Sequence, residues 1–180
     1  MPAMVIDARA ADLGGGLTVR RILPFHRRRM VGPFIFMDHA GPVRVLPEQR
    51  RAADVRPHPH IGLATVSYLF SGQITHRDSL GVEQVIRPGE VNWMTAGRGI
   101  SHSERFEDPA ARAAAAVELI QTWVALPDAD EEIAPGFEHY APEVLPVVEE
   151  RGRWLRLIAG TAYGLRNEVK TRSPLFYLHA

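Results

Sequence analysis

Glycine and proline interrupt this sequence at short intervals, and this punctuation limits the folds that are open to it. The 180 residues include 15 glycines and 14 prolines. A helical bundle does not accommodate so many, because proline breaks helical hydrogen bonding and glycine in a helix costs chain entropy. The short apolar segments between them are ended by turn signals about every 8–12 residues, which is typical of sandwiches and barrels. The sequence therefore predicts an all-β fold.

The apolar segments divide the chain into one full β unit and the beginning of another. Strands are predicted at residues 17–23, 34–37, 63–70, 73–77, 83–86, 91–95, 100–106 and 118–126. We expect Gly41-Pro42 to close the second of these strands and the polar residues 47–57 to form a loop. Further strand segments follow an acidic linker at 128–135, at residues 144–148, 154–158 and 174–178. We therefore expect a barrel over 1–127, and over 128–180 a linker with the start of an incomplete second unit that packs on the barrel or on another chain.

Composition excludes several classes of function. Lys and Arg number 21, as do Asp and Glu, so no basic field favours direct binding of nucleic acid. Without cysteine there is no disulfide, no cysteine zinc site and no thiol nucleophile. The first eleven residues lack an uninterrupted apolar core, and no apolar run approaches the roughly 20 residues that span a bilayer. We expect a cytoplasmic protein that does not enter membranes.

Two short motifs place metal-binding side chains on predicted strands. His58 and His60 lie at positions i and i+2, as do His102 and Glu104. That spacing puts both members of a pair on one face of a strand. Two such strands side by side would direct three nitrogens and one oxygen at a single point. This donor set suits Fe(II), Mn(II), Ni(II), Co(II), Cu(II) or Zn(II).

Simpler roles are also open to these residues. The first pair fits an ordinary edge strand or loop, and the second pair fits a surface hydrogen bond. His76 and Asp78 share the same spacing and are rival ligands, although Asp78 begins Asp-Ser-Leu-Gly, which favours an Asx turn. Gln121 and Trp123 are expected to line or pack the barrel wall, with a core role favoured.

Several of these segments together resemble the pirin family of the cupin superfamily. They are Gly32-Pro33-Phe34, Met37-Asp38-His39, Gly41-Pro42, His58-Pro59-His60-Ile61-Gly62-Leu63-Ala64-Thr65-Val66, His76-Arg77-Asp78-Ser79-Leu80-Gly81, Arg87-Pro88-Gly89-Glu90-Val91 and Trp93-Met94-Thr95-Ala96-Gly97-Arg98-Gly99-Ile100-Ser101-His102-Ser103-Glu104. The resemblance is specific over about residues 20–127 and weaker over 128–180.

The resemblance implies a cupin double-stranded β-helix, or jelly-roll barrel, that holds one divalent metal ion, typically Fe(II). The family's ligand positions fall on His58, His60, His102 and Glu104. The general cupin pattern often has a glutamate four or five residues after the second histidine, where this chain has Ala64 and Thr65. The ligand carboxylate is therefore expected from Glu104. Pirins usually carry two complete barrels, whereas this chain ends shortly after a second would begin.

The family resemblance implies two alternative functions. One is a quercetin 2,3-dioxygenase, which opens a flavonol ring with dioxygen. Glu104 would then be the catalytic base if it loosens from the metal, and Phe36 and Met94 would form a dry pocket. The other is a non-enzymatic, iron-dependent redox sensor that binds a regulatory protein partner. A metal-free structural cupin is a third reading. The expected partners are thus a small aromatic, flavonol-like substrate or a protein, and the unfinished C-terminal strands are compatible with a homodimer.

Overall fold

The chain forms fifteen β-strands and one short α-helix within the residues that the computed structural model describes, which are 4–13, 17–107 and 115–180. The strands are β1 (Arg9–Asp12), β2 (Thr18–Leu23), β3 (Phe34–Val45), β4 (Val55–His60), β5 (Leu63–Ser71), β6 (Ile74–Asp78), β7 (Glu83–Ile86), β8 (Val91–Thr95), β9 (Ile100–Arg105), β10 (Ala115–Ala125), β11 (Gly136–Tyr140), β12 (Val147–Glu150), β13 (Arg153–Ala162), β14 (Leu165–Arg166) and β15 (Phe176–His179). The helix, α1, is Arg50–Ala53, and 3-10 turns cover Pro47–Gln49, Asp128–Asp130 and Pro142–Val144. None of the helices in these ranges has the length and apolar character needed to cross a bilayer.

Antiparallel pairing arranges the strands in three sheets. A seven-stranded sheet has the order β1-β2-β3-β10-β5-β8-β11, and a four-stranded sheet has the order β4-β9-β6-β7. The third sheet has the order β12-β13-β14, and β15 also pairs with β13. The neighbours in these sheets are often distant along the chain, as in β3-β10 and β4-β9, which is the crossing pattern of a jelly-roll. The predicted all-β jelly-roll is confirmed.

One apolar core lies between the first two sheets and closes the barrel. Val19, Leu69 and Leu119 of the seven-stranded sheet pack in one cluster with Ile74 and Ile86 of the four-stranded sheet. All five side chains are buried. Because removal of apolar surface from water is the main favourable term in folding, this cluster holds the two sheets face to face.

A second core covers the outer face of the seven-stranded sheet. Val66, Trp93 and Val124 from that sheet pack against Leu145 and Ile158, which lie beyond residue 127. The strand β5 is consequently buried on both faces over most of its length, which explains why apolar residues predominate on both of its faces. The division of the chain at residue 127 stays a prediction, and this shared core joins the two predicted parts.

Two local predictions were wrong. Gly41-Pro42 does not close a strand, because β3 continues to Val45. The register between β10 and β3 shifts there, with Val117 opposite Val43 and Leu119 opposite Ala40, so the dipeptide forms a bulge, a position that tolerates proline. The segment 47–57 is not a loop throughout: a 3-10 turn and α1 occupy it, and β4 begins at Val55.

The turn between β8 and β9 lies tightly against the segment that follows β10. Gly97 has a φ of +52°, and a Cβ atom there would collide with the carbonyl oxygen of Ile133. That oxygen accepts a hydrogen bond from Arg98 N at 2.9 Å, and Gly97 O accepts one from Gly62 N at 2.8 Å. Glycine is therefore required at this turn, which leads directly into β9.

Replacement of Gly97 is expected to destabilise the protein more than replacement of a matched glycine. Gly97→Ala and Gly81→Ala both place a side chain at positive φ (+52° and +84°), which costs about 1–2 kcal/mol. A Cβ atom at Gly81 meets nothing within 4 Å, so only Gly97→Ala adds a collision. Urea unfolding of both variants measures the difference, and equal losses would contradict the argument from close contact.

Candidate metal centre

The two histidine motifs meet because β4 and β9 are neighbouring antiparallel strands. Their register places His58 opposite His102 and His60 opposite Ile100. Residues directly opposite each other in an antiparallel pair point to the same face of the sheet. The side-by-side arrangement expected from the i, i+2 spacing is therefore present, and side chains more than forty positions apart share one face.

Three imidazole nitrogens converge at this face. The Nε2 atom of His102 lies 3.1 Å from Nε2 of His58 and 3.1 Å from Nε2 of His60. One ring nitrogen from each residue lies within 4.8 Å of the other two. Two nitrogen ligands at right angles, each about 2.0–2.2 Å from a common ion, are about 3 Å apart. The observed separations fit a divalent metal ion.

The protonation of these rings also fits a metal ion. Nδ1 of His58 donates to the carbonyl oxygen of Arg56 at 2.8 Å, which leaves its Nε2 lone pair free. Burial, assisted by nearby His58, lowers the pKa of His60 to about 4. Burial and then the neighbouring imidazoles lower the pKa of His102 to about 2. His60 and His102 are therefore held as neutral imidazoles, the form that binds metals, and a cation at the meeting point of the three rings would accept their lone pairs.

Glu104 lies beside the three histidines without joining their group of closely spaced nitrogens. It follows His102 by two residues on β9, and its carboxylate lines the same cavity. Burial raises the pKa of Glu104, against the opposing effects of His58 and of a hydrogen bond from Ser67. Its role as a fourth ligand stays a prediction.

A cavity opens directly onto these four side chains. Its wall is mostly apolar and includes Leu17, Val19, Phe36, Ile74, Phe106, Leu119 and Trp123. The enclosed volume is about 110 Å³, below the about 300–1,000 Å³ of pockets that engulf a drug-sized ligand. A cavity of this size has room for only one end of such a molecule beside the histidines.

Aromatic rings form the part of the wall nearest the histidines. Phe36 and Trp123 stack at 4.1 Å with an angle of 15°, and Trp123 contacts the ring of His60 edge to face at 5.1 Å. Phe36 thus lines the pocket as predicted. Met94 does not, because it is buried in a separate cluster with Ile100 and other apolar residues. Trp123 lines the cavity as well as packing the wall.

Ser67 is a functional candidate that the sequence analysis missed. Its hydroxyl lies 2.6 Å from Oε1 of Gln121 and 3.4 Å from Oε1 of Glu104, so its single proton donates mainly to the amide. Gln121 also lines the cavity. The available signal was one of several hydroxyl side chains in β5, which means little until the facing strands are known.

His76 and Asp78 do not join the histidine cluster. Oδ1 of Asp78 accepts hydrogen bonds from Leu80 N at 2.9 Å and Val82 N at 3.1 Å, which confirms the predicted Asx turn. Burial lowers the pKa of His76, against the opposing hydrogen bond and charge of Asp78. This pair instead lies on the side of His102 that bears Nδ1, an atom that is 3.3 Å from Nδ1 of His76.

The family resemblance is borne out by known proteins. The sequence model of the family described as Pirin matches residues 16–124. The chain belongs to the pirin family. A pirin-like protein of Caulobacter vibrioides is 55% identical over 177 residues, which are 98% of this chain and 61% of that protein. Pirin of Homo sapiens is 32% identical over 174 residues, 95% of this chain and 55% of that protein.

Solved structures of similar proteins share the fold closely. A crystal structure of quercetin 2,3-dioxygenase from Acinetobacter baumannii is 41% identical and superposes with a TM-score of 0.86, over 96% of this chain and 55% of that chain. A structure from Geobacillus kaustophilus is 27% identical with a TM-score of 0.74. The predicted cupin barrel is thereby confirmed. The chain spans roughly three-fifths or less of the length of these relatives from Caulobacter, human and Acinetobacter.

Removal of two histidines is expected to abolish metal binding by this pirin-family chain. After anaerobic loading with Fe(II), the parent protein should hold about one ion, and His58→Ala/His102→Ala should hold almost none, because two of three converging nitrogens are lost. Mass spectrometry of protein purified without an affinity-metal step measures the content. His26→Ala removes an exposed histidine and serves as the control. A full ion in the double variant would disprove the assignment.

The buried imidazoles should make the metal-free protein sensitive to acid. Unfolded histidines take up protons below pH 6.5, whereas the folded pKa values of His60 and His102 are about 4 and about 2. The free energy of unfolding should therefore fall as the pH drops from 6.5 towards 4, by up to about 1.4 kcal/mol per pH unit for each histidine. Urea titrations of the parent protein and of His60→Gln/His102→Gln at several pH values isolate this effect. If the free energies of unfolding of the two proteins change in parallel with pH, the prediction is wrong.

Proposed function

We propose that this chain carries the iron centre of a flavonol-cleaving dioxygenase of the quercetin 2,3-dioxygenase type. The observation that carries the proposal is the mostly apolar cavity that opens directly onto His58, His60, His102 and Glu104. A redox sensor needs an ion near a partner-binding surface, whereas an enzyme needs room for a substrate beside the ion. The likeness to the Acinetobacter dioxygenase supports the same choice.

The residues divide into ligands and pocket. His58, His60 and His102 would hold the ion through Nε2, and Glu104 would complete the set. When bound, the iron supplies a Lewis acid that lowers the pKa of a substrate hydroxyl and redox chemistry towards dioxygen. Iron is proposed on the resemblance to pirins, since three imidazoles and a carboxylate also accommodate other first-row ions.

The cavity wall supports a planar aromatic substrate. Phe36 and Trp123 offer aromatic surface next to His60, and flat rings pack well against such surface. The small enclosed volume admits the edge of a flavonol that bears the hydroxyl and keto oxygens, while the remaining ring lies towards the mouth. Gln121, held by the Ser67 hydroxyl, retains amide hydrogens that are suited to those oxygens.

Glu104 is suited to take the substrate proton once it loosens from the ion. Its pKa is raised by burial, and a carboxylate with a raised pKa is a stronger base than one in water. It sits beside the histidine cluster, where a hydroxyl group directed at the ion would lie within reach. The apolar wall excludes competing water from this proton transfer. A regulatory protein partner and a homodimer stay predictions from the resemblance.

Loss of the Glu104 carboxylate is expected to slow turnover of a flavonol. The iron-loaded protein should consume dioxygen when quercetin is added, and Glu104→Gln should lower kcat by about 10²–10⁴-fold, the usual contribution of a general base. An oxygen electrode measures the rate, and metal analysis of the same samples separates loss of the base from loss of the ion.

Glu118→Gln is the matched control for this measurement. Glu118 is a partly buried carboxylate on β10 that accepts a hydrogen bond from Nε2 of His39 at 2.8 Å. Its loss should leave kcat unchanged. Absence of flavonol-dependent oxygen uptake by the iron-loaded parent would reject the enzyme proposal, and full activity of Glu104→Gln would reject the role of that residue.

A further inference from the structure

The carboxylate of Asp78 is buried beside the metal centre and uses its two oxygens for different purposes. Its side chain has 0% exposure. Oδ1 accepts hydrogen bonds from the backbone nitrogens of Leu80 and Val82, which form the turn after β6. Oδ2 lies 2.9 Å from Nε2 of His76. The turn needs only the first oxygen, so the second is free to act on the histidine.

The direction of each hydrogen bond follows from the chemistry of the groups. A carboxylate only accepts, so His76 carries its proton on Nε2, facing Asp78. The neutral ring then presents the lone pair of Nδ1 to Nδ1 of His102 at 3.3 Å. That contact is a hydrogen bond only if His102 carries its proton on Nδ1. The remaining lone pair of His102 is then on Nε2, the atom that lies 3.1 Å from His58 and from His60.

The chain of hydrogen bonds from Asp78 through His76 to His102, here called the relay, is held in place by the strands and turns around it. β6 pairs with β9 so that Asp78 lies opposite His102. His76 is 4% exposed, and its ring stacks on Phe137 of β11 at 4.4 Å with an angle of 25°. Ser79, the residue after Asp78, donates its backbone N–H to Ser101 O at 2.9 Å. The turn and the strand that carries His102 therefore cannot shift independently.

We propose that Asp78 and His76 are positioning residues that fix the tautomer of His102 and so present its Nε2 atom to the metal ion. Hydrogen bonds from the outer nitrogen of a histidine ligand commonly orient the ring and contribute about 10–100-fold to metal affinity. In this chain the carboxylate acts through an intervening imidazole. The inference depends on the metal centre and is independent of flavonol as the substrate.

Asp78→Asn gives a sharp test because it should reverse the relay without removing the turn. The two backbone donors, Leu80 N and Val82 N, require an oxygen at the Oδ1 position. The amide nitrogen of the asparagine is therefore placed at the Oδ2 position, where it donates to Nε2 of His76. The proton of His76 then moves to Nδ1 and donates to His102, whose own proton must move to Nε2. That proton occupies the atom that would bind the ion.

Two measurements read out the relay. In the metal-free parent, ¹⁵N–¹H NMR of the imidazoles should show His102 protonated on Nδ1 and His76 on Nε2, and Asp78→Asn should reverse both. Zn(II) affinity, measured by competition with a chromophoric chelator, should fall about 10–100-fold in Asp78→Asn. Glu83→Gln, on the neighbouring strand β7 in an exposed pair with Arg77, is the matched carboxylate-to-amide control and should change neither readout.

The outcomes separate the relay from the metal centre and from a purely structural role. If His102 of the parent protein is protonated on Nε2, the proposal is wrong. This result does not depend on whether any variant folds. The proposal is also wrong if Asp78→Asn keeps the parent tautomers and its affinity for Zn(II) stays within about twofold of that of the parent protein. Parent protein with the expected tautomers but no Zn(II) binding supports the relay and rejects the metal centre. Reversed tautomers with weakened Zn(II) binding and an unchanged unfolding midpoint support both.

Discussion

The antiparallel pairing of β4 with β9 is the interaction on which the candidate metal centre depends. Neither strand contains a complete donor set, and their residues become neighbours only through this register, with His58 opposite His102. Because side chains alternate between faces, a slip of one residue would turn one pair of donors away from the other. The glycine turn before β9 and the Asx turn after β6 both contact the beginning of β9 and hold it in place.

The same pairing creates an electrostatic cost that a cation relieves. Burial pushes the pKa values of His60 and His102 down and that of Glu104 up. Without an ion, converging lone pairs and a desolvated carboxyl group are left poorly satisfied, and such groups cost free energy. The apolar wall that raises this cost also strengthens any charge interaction inside the cavity. Affinity for a cation and a dry reaction space thus have a common origin.

The sequence carried most of the information about local structure and part of that about the site. Strand positions were predictable from periodicity, and Glu83–Ile86 and Val91–Thr95 lie where they were predicted. The i, i+2 histidines were predictable because strand geometry has a fixed period. The bulge at Gly41-Pro42 and the location of Met94 were not, since both depend on which strand lies opposite. Ser67 was not predicted as a site residue for the same reason, because its partners lie 37 and 54 residues away along the chain.

The segment beyond residue 127 takes part in the centre although it contains none of the predicted ligands. β11 pairs with β8 and completes the edge of the seven-stranded sheet, and its Phe137 covers the ring of His76. An exposed His76 would exchange its hydrogen bonds with water, and its orientation towards His102 would be lost. The position of a ligand therefore depends on packing supplied from the part of the chain that least resembles the family pattern. A barrel cut at 127 would retain the donors and lose this cover.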